Sequence, residues 1–468
     1  MINERVKKRV NNMDYQSTSE LMERAKTAIG KSFEEIDRTG RLSGKGKGNL
    51  GQVVEESIFD YEVNSNPQPD FEHLGIELKV TPIKQNKNKT LSAKERLVLN
   101  IINYMEEYKL TFETSSFWMK NQRLLIMFYL WEKDIERKDY RVIKNILFDY
   151  PEEDLEIIKD DWAIIVDKIK RGKAHELSEG DTSYLGACTK GANRKSVRQQ
   201  PFSGELAKQR AFSLKASYMT TIVRKNIDNE KLTSFASASE LKEKTLPEIL
   251  EERFKPFIGM EVYQIAEKLD IKYSKKNKAM NANLISAILG IKGTRLKDIE
   301  EFSKANIQFK TIRLEPNGVP KEHMSFENID FEQWVTEPFE QSQIYEKFEM
   351  TKFLFAVFEY KETKKENPER KQYFKGIKLW NMPETNIDKY VYSLWEETRD
   401  TLLDGVVLTS TKRGISNNLP GAKDNKVVHI RPKAKNAADQ VRLPDGQMIT
   451  KQCFWLDRYY VASIVGEI

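Results

Sequence analysis

The chain has 468 residues, of which 39% are hydrophobic and 32% charged, and its formal net charge is +6. This length and apolar content predict two or three folded domains with real cores, which excludes disorder as the main state. The two cysteines, Cys188 and Cys453, lie far apart, so neither a disulfide framework nor a cysteine zinc site is expected.

The first half of the chain predicts an α/β order of elements. Ser19–Ile29 has the apolar spacing of an amphipathic helix. Ile76, Leu78 and Val80 alternate with polar residues and predict a strand with one face toward the core. The continuous apolar run Leu124–Trp131 is typical of a central strand buried on both faces, and Asp154–Lys170 predicts a second amphipathic helix.

Nothing in the sequence predicts a membrane protein. The N-terminal segment MINERVKKRV lacks the apolar stretch of a signal peptide, and the longest apolar run is too short to span a bilayer. We therefore expect a soluble protein in the reducing environment of the cytoplasm.

Asp70, Glu77 and Lys79 form a pattern suited to metal-assisted hydrolysis. Two carboxylates and a lysine near one strand face can hold Mg²⁺ beside a phosphodiester and orient or deprotonate a water molecule. The Leu78 carbonyl would offer a further oxygen ligand. A solvated strand edge is the competing interpretation. The histidines stand singly in the sequence, which argues against multi-histidine metal sites (His73, His175, His323, His429).

Residues 184–226 are strongly basic. This stretch contains nine lysines and arginines and a single acidic residue, Glu205. Such an excess favours phosphate binding over a solvated helix face, which usually mixes both signs.

The two halves of the chain repeat the same landmarks in the same order. The first half has Asp70-Phe71 followed by Ile76-Glu77-Leu78-Lys79, and the second half has Glu301-Phe302 followed, at the same spacing, by Ile307-Gln308-Phe309-Lys310. Residues 147–162 correspond to 379–395, and the segment from Lys208 corresponds to the segment from Lys451. The pattern predicts two tandem copies of one α/β fold at residues 1–226 and 240–468, joined by a polar linker.

The segment Pro69-Asp70 to Gly75-Ile76-Glu77-Leu78-Lys79-Val80-Thr81-Pro82 resembles the PD-(D/E)xK nuclease core. More narrowly, it resembles the mismatch-repair endonuclease MutH and the related GATC-cutting type II restriction endonucleases. The blocks Lys47-Gly48-Asn49-Leu50-Gly51…Glu55 and Phe112-Glu113-Thr114-Ser115…Lys120 agree, and the resemblance covers residues from about 20 to 225. It implies two tandem MutH-like, restriction-endonuclease-like domains, each a mixed sheet flanked by helices.

The resemblance also implies a function. The protein would be a Mg²⁺-dependent enzyme that makes double-strand cuts at 5′-GATC-3′, before the guanine, leaving 5′-phosphate ends on 5′ overhangs. Asp70, Glu77 and Leu78 would hold the metal, Lys79 would activate water, and Glu55 and Lys120 would support them. Glu56 is the alternative to Glu55 on residue type alone.

Base reading in the family uses a basic loop that corresponds here to Cys188–Asn193, with Lys190 as the expected specificity residue. The mismatch-repair member carries a tyrosine where this chain has Ser213, which favours defence over repair. Lys215 is expected to be a phosphate contact or a lysine at the edge of the core. The residues expected to bind DNA are Lys47, Thr189, Lys190, Gly191, Ser213, Lys215, Arg431 and Lys433.

The second copy is expected not to cut. Its counterparts of Asp70, Glu77, Glu55, Lys120 and Lys79 are Glu301, Gln308, Leu289, Glu349 and Lys310, and an amide does not replace an anionic metal ligand. Its basic stretch from Val428 to Lys435 corresponds to the reading loop and is expected either to bind DNA, with an allosteric effect, or to be a structural remnant.

Three functions remain open. The leading one is an autonomous restriction endonuclease with a cognate methyltransferase in the cell. A palindromic target and one intact site per chain favour transient dimerisation on DNA. The alternatives are a mismatch-repair nickase that depends on partner proteins and a catalytically silent GATC-binding regulator.

Overall fold

The computed structural model describes residues 15–43, 49–64, 66–191, 195–291, 296–411 and 414–468. These residues form two compact units. Unit 1 comprises the described residues through His175 with Thr182–Leu232 and Ser303–Ala305. Unit 2 comprises Glu176–Asp181, Thr233–Phe302 and the described residues from Asn306 to Ile468. In these ranges, every helix is too short or too polar to cross a membrane.

Unit 1 combines mixed strands with flanking helices. Its strands are β1 (Glu77–Gln85), β2 (Leu91–Ala93), β3 (Leu97–Ile101), β4 (Arg123–Leu130), β5 (Arg141–Asp149), β6 (Leu185–Thr189), β7 (Val197–Arg198), β8 (Ala207–Lys208) and β9 (Arg210–Leu214). Its helices are α1 (Thr18–Lys26), α2 (Phe33–Ile36), α3 (Asn49–Ser57), α4 (Tyr104–Glu107), α5 (Ser116–Asn121), α6 (Glu152–Lys170) and α7 (Ala216–Asn226).

The main sheet of unit 1 has the strand order β2-β1-β4-β5. β1 and β4 are parallel, with Glu77 opposite Leu124, and the outer strands run antiparallel to their neighbours. Leu124–Phe128 are fully buried. The predicted central strand is therefore confirmed as β4, because an apolar run of this kind packs against protein on both faces. The strand ends at Leu130, one residue before the predicted end, and Tyr129 and Leu130 are only half-buried.

Helices cover one face of this sheet. The apolar side chains of α1 and α3, including Leu21 and Val54, share a core with Leu78 and Met127 of the two parallel strands. The Ser17 side chain accepts a hydrogen bond from the Glu20 N–H and caps α1. The predicted helix at Asp154–Lys170 is confirmed as α6, which begins two residues earlier.

A smaller antiparallel sheet with the order β3-β9-β6 completes unit 1. Leu214 of β9 lies opposite both Leu97 and Leu185, so the three strands are aligned at that end. β6 ends at Thr189, where the basic loop begins, and α7 follows β9.

Unit 2 is built from the same kinds of elements. Its helices are α8 (Ala238–Glu243), α9 (Leu246–Phe254), α10 (Val262–Lys268), α11 (Met280–Ile288), α12 (Glu300–Ala305, of which Ser303–Ala305 belong to unit 1), α13 (Phe331–Thr336), α14 (Gln343–Met350), α15 (Glu384–Asn386), α16 (Tyr392–Asp404) and α17 (Arg458–Val465). Its strands are β10 (Ile307–Leu314), β11 (Met324–Asn328), β12 (Lys352–Tyr360), β13 (Gln372–Trp380), β14 (Leu408–Thr411), β15 (Gly414–Asn417), β16 (Val428–Pro432), β17 (Gln440–Arg442), β18 (Met448–Thr450) and β19 (Gln452–Leu456).

The sheets of unit 2 follow the pattern of unit 1. β10 runs parallel to β12, with Gln308 opposite Phe353, and β13 runs antiparallel to β12. A second sheet has the order β11-β19-β16, in which Leu456 lies opposite both Met324 and Val428. Each unit thus has a parallel strand pair next to a separate three-stranded antiparallel sheet.

Candidate active site

A tight chain reversal before β1 brings Asp70 to Glu77. Phe71 and Ile76 pair as an antiparallel bridge, and Gly75 between them has a φ of +64°. Glycine adopts this left-handed conformation without steric cost. The Asp70 N–H donates to Glu77 Oε2 at 3.1 Å, and the Leu78 N–H donates to Asp70 Oδ2 at 3.0 Å. Both carboxylates therefore lie at the start of β1, with the Leu78 backbone beside Asp70.

Two lysines approach Glu77. Lys79 stands two residues along β1 and so points to the same face, and its Nζ lies 2.7 Å from Glu77 Oε1. Lys120 comes from the last turn of α5, with its Nζ 3.8 Å from the same Glu77 oxygen. Its ammonium also donates to the Asn66 carbonyl at 2.7 Å. The structure thus brings both predicted lysines to one carboxylate.

Glu55 and Glu56, which follow one another in α3, have different surroundings. Glu56 accepts hydrogen bonds from Arg41 and Thr39, and these lower its pKa. Burial raises the pKa of Glu55, and the negative charge of Glu77 raises it further. Of the two, Glu55 is therefore the carboxylate whose pKa is raised by the Glu77 charge.

The carboxylates repel one another in the absence of a cation. Burial and the charge of Glu77 raise the pKa of Asp70 to about 7, although Lys79 opposes this shift. Glu77 is 3% exposed, so water screens these charges poorly. A buried group of carboxylate oxygens with excess negative charge fits a hard divalent cation.

The basic loop begins where β6 ends. The Lys190 N–H donates to the Gln209 carbonyl at 2.8 Å, whereas its side chain is exposed, as is Gly191. Thr189 is half-buried. Lys190 and Gly191 are therefore accessible to a ligand. Ala192, Asn193 and Lys47, which the sequence also assigned to this function, lie outside the described residues.

Two residues assigned to DNA are buried, which corrects the assignment of Ser213 and, for Lys215, favours the alternative of a lysine at the core over a phosphate contact. Ser213 is 0% exposed in the middle strand of the small sheet. Lys215 is 2% exposed and donates through Nζ to the Thr182 carbonyl at 2.6 Å. Arg210 is also buried, with Nη1 donating to the Ala187 carbonyl. The basic count over 184–226 therefore includes cations that bind backbone carbonyls instead of facing solvent.

The counterpart site of unit 2 has a different chemistry. The amide oxygen of Gln308 accepts from Lys347 Nζ at 3.1 Å, and Lys310 Nζ donates to the Ser325 carbonyl at 3.1 Å. Burial lowers the pKa of Lys310, and Lys347 and Lys433 contribute to this shift. Lys347 was missed because the sequence register pointed instead to Glu349.

The remaining counterparts in unit 2 face elsewhere. The Glu301 carboxylate accepts from the Ser234 hydroxyl and from the Phe235 and Ala236 N–H groups. Leu289 is 1% exposed in the core, and Glu349 is buried and accepts from the Glu179 N–H at 3.2 Å. In unit 1, the Glu77 carboxylate accepts a hydrogen bond from the Asp70 N–H. Gln308 is the counterpart of Glu77, and among the described residues no carboxylate is hydrogen-bonded to it.

The second basic loop has the backbone contact of the first. The Lys433 N–H donates to the Lys451 carbonyl at 2.8 Å, and its ammonium donates to the Phe326 carbonyl. Arg431 is exposed, with its guanidinium 5.9 Å from the centre of the Trp455 ring. Arg431 and Lys433 thus lie at the end of β16, as Lys190 lies at the end of β6.

The histidines are not all solitary, which corrects the expectation from the sequence. The rings of His323 and His429 lie 4.6 Å apart, centre to centre, and Asp457 joins them in one cluster. The sequence gave no signal of this approach because strand pairing, not local spacing, creates it.

Both halves of the chain are similar to known proteins. Residues 59–161 and 294–389 match the family model described as DNA mismatch repair enzyme MutH. The type II restriction enzyme Sau3AI of Staphylococcus aureus is 38% identical over 486 aligned residues, which cover 95% of this chain and 97% of that enzyme.

MutH proteins match a smaller share of the chain. The DNA mismatch repair protein MutH of Shewanella woodyi is 30% identical over 212 residues, covering 44% of this chain and 90% of that protein. The MutH protein of Shewanella baltica strain OS185 is 30% identical over 214 residues, with coverages of 44% and 94%. The chain therefore belongs to the MutH-related family of type II restriction enzymes, and it is a site-specific deoxyribonuclease.

Proposed function

We propose that this restriction enzyme makes Mg²⁺-dependent double-strand cuts at 5′-GATC-3′ and that unit 1 contains its active site. The observation that carries the proposal is the convergence of Asp70, Glu77 and Lys79, with Lys79 Nζ 2.7 Å from Glu77 Oε1. The GATC specificity rests on the resemblance to the MutH-related enzymes and on the exposed Lys190. The ends would be 5′-phosphates.

The Asp70 and Glu77 carboxylates and the Leu78 carbonyl would hold Mg²⁺, and Glu55 would add a further carboxylate. When bound, the cation supplies neutralisation of phosphate charge and acidification of water. The Lys79 ammonium holds the Glu77 carboxylate in place, and from this position it orients the attacking water as a hydrogen-bond donor. Removal of a proton from that water would require the neutral amine form of Lys79. Lys120 places a second positive charge beside Glu77, where it attracts the phosphodiester.

The chain is proposed to consist of two PD-(D/E)xK domains, residues 1–226 and 240–468, that arose by duplication. Three observations support this. Both units have a parallel strand pair and a separate three-stranded antiparallel sheet. The Lys190 and Lys433 N–H groups each donate at 2.8 Å to the carbonyl of the residue just before β9 or β19. The MutH family model matches a segment of each half.

The second domain is proposed to be inactive as a nuclease and to bind DNA as a regulatory element. Gln308 cannot supply the negative charge that Glu77 supplies, and Lys347 adds positive charge beside it. A site with lysines and an amide suits a phosphate better than a divalent cation. Arg431 and Lys433 would extend this surface.

A single competent site per chain must act on both strands of a palindrome. We expect two chains to associate transiently on DNA, because the target has two-fold symmetry. We expect the protein to act in the cytoplasm, and a cognate methyltransferase in the cell would protect the host sites.

Digestion of a plasmid with several GATC sites tests the proposal. The purified chain alone should give Mg²⁺-dependent linear fragments with GATC ends, and EDTA should abolish them. Nicked circles alone would favour a mismatch-repair type of nickase. Retained binding without any cleavage would favour a silent GATC-binding regulator and would contradict the proposed active site.

A further inference from the structure

Strand pairing in unit 2 brings together three side chains that can bind a metal. His323 immediately precedes β11, His429 lies in β16, and Asp457 follows β19. Leu456 lies opposite both Met324 and Val428, and the Asp457 N–H donates to the Val427 carbonyl at 2.9 Å. The three residues therefore meet at one end of the β11-β19-β16 sheet.

His429 has an unusual environment for a buried polar side chain. It is 0% exposed, and in the part of the chain that the structure describes neither of its ring nitrogens has a hydrogen-bond partner. Buried polar groups are almost always paired, because an unpaired one loses its hydration without compensation. A metal ion is one partner that would satisfy a ring nitrogen here.

His323 and Asp457 face the same space. His323 Nδ1 lies 3.4 Å from Asp457 Oδ2 and accepts from the Arg458 N–H at 3.1 Å. Asp457 Oδ1 accepts from the Tyr459 N–H at 2.8 Å, a contact that caps α17. The second carboxylate oxygen thus lies beside the His323 imidazole while the first holds the helix end.

The spacing of the donor atoms is compatible with a single ion. One ligand atom from each of the three residues lies within 4.8 Å of the other two. Tetrahedral ligands at zinc stand about 3.3 Å apart when their bonds to the metal are about 2.0–2.1 Å long. Small side-chain rotations would therefore close the site around an ion.

We propose that His323, His429 and Asp457 bind one Zn²⁺ ion in unit 2. Two imidazoles and a carboxylate suit zinc, whereas Mg²⁺ prefers oxygen ligands alone. His323 also lines an open cleft of about 420 Å³, which offers the ion an entry path and leaves room for a water molecule as fourth ligand.

Unit 1 lacks the corresponding donors. In the β3-β9-β6 sheet, Leu214 lies opposite Leu97 and Leu185, as Leu456 lies opposite Met324 and Val428. The matching positions are occupied by Arg96, Gly186 and Lys215, none of which suits zinc. The zinc site is therefore a property of unit 2 and separate from the carboxylates of the active site.

Metal binding by the full chain tests the proposal. The protein is stripped with a chelator, desalted, and titrated with Zn²⁺ or Co²⁺ in excess Mg²⁺. Bound metal is measured by elemental analysis, affinity by competition with a chromophoric chelator, and geometry by the visible absorption of Co²⁺. We expect one tightly bound zinc per chain and the absorption bands of tetrahedral Co²⁺.

Substitutions of the proposed ligands test whether the bound zinc lies at this cluster. Asp457→Asn retains an oxygen that can cap α17, and His323→Ala alters a partly exposed residue, so both are expected to fold even if His429→Ala does not. Each should weaken zinc binding at least about 10-fold. His73→Ala, which alters an exposed histidine of unit 1, and Glu77→Gln, in the active site, should leave affinity unchanged. Absence of binding, or equal binding by His323→Ala, Asp457→Asn and the unmodified chain, would overturn the proposal.

Discussion

Lys79 Nζ lies 2.7 Å from Glu77 Oε1, and the two residues occupy the same face of β1. The Lys79 side chain is only 14% exposed, so its ammonium is held beside the carboxylate and away from bulk solvent. A lysine in this position can both fix the carboxylate and act on a neighbouring water, and its removal should affect the chemical step more than DNA binding.

Replacing Lys79 by alanine should reduce cleavage by about 10²–10⁴-fold, the usual contribution of a positioned acid–base group. DNA affinity should change little, because the ammonium is engaged with Glu77. Single-turnover cleavage and gel-shift binding measure the two effects. Lys84→Ala, an exposed lysine of the same strand, is the matched control and should cut normally. Normal cleavage by Lys79→Ala would refute its assigned role.

Asp70→Asn should abolish cleavage and at the same time stabilise the metal-free protein. The substitution removes a charge that Glu77 and Glu55 repel, and an amide oxygen can still accept the Leu78 N–H. We expect the Tm in EDTA to rise by a few degrees, since about 1 kcal/mol corresponds to roughly 2–4 °C in a domain of this size. Added Mg²⁺ should stabilise the original chain but not the variant.

The control substitution for this experiment is expected to change the Tm in the opposite direction. Asp60 is held by Arg24 at 2.8 Å and Arg38 at 2.7 Å, so Asp60→Asn removes attraction instead of repulsion. Its Tm in EDTA should fall slightly. If Asp70→Asn also lowered the Tm, repulsion among the active-site carboxylates would not destabilise the metal-free protein.

Restoring one carboxylate in unit 2 should not restore cutting there. In a Glu77→Gln background, Gln308→Glu would form an ion pair with Lys347, whose Nζ already lies 3.1 Å from the Gln308 amide oxygen. The Glu301 carboxylate remains bound to Ser234 and its neighbours. The double variant should be inactive in plasmid digestion, whereas Gln308→Glu alone should cut. Recovery of Mg²⁺-dependent cleavage would mean that unit 2 is one substitution from activity.

The sequence predicted the local parts of the site and missed those formed by distant segments. Asp70, Glu77 and Lys79 were predictable because one short reversal and the alternation of one strand bring them together. Glu55 and Lys120 required a family resemblance, since they come from separate helices. The burial of Lys215 and the approach of His323 to His429 depend on which carbonyl or strand each residue meets in the folded chain, and residue type does not encode that.

Lys190 provides the test of base recognition. Its backbone is fixed by the Gln209 carbonyl while its side chain is exposed, so the ammonium is available to the acceptors of a guanine. Lys190→Ala should weaken binding to a GATC duplex by about 10–100-fold, which corresponds to about 1–3 kcal/mol, and should affect a scrambled duplex much less. Lys26→Ala, which alters an exposed lysine of α1 paired with Glu23, should change neither affinity. Dissociation constants should be compared at one salt concentration, because phosphate contacts dominate the salt dependence. An equal loss on both duplexes would make Lys190 a phosphate contact and move base recognition to other residues.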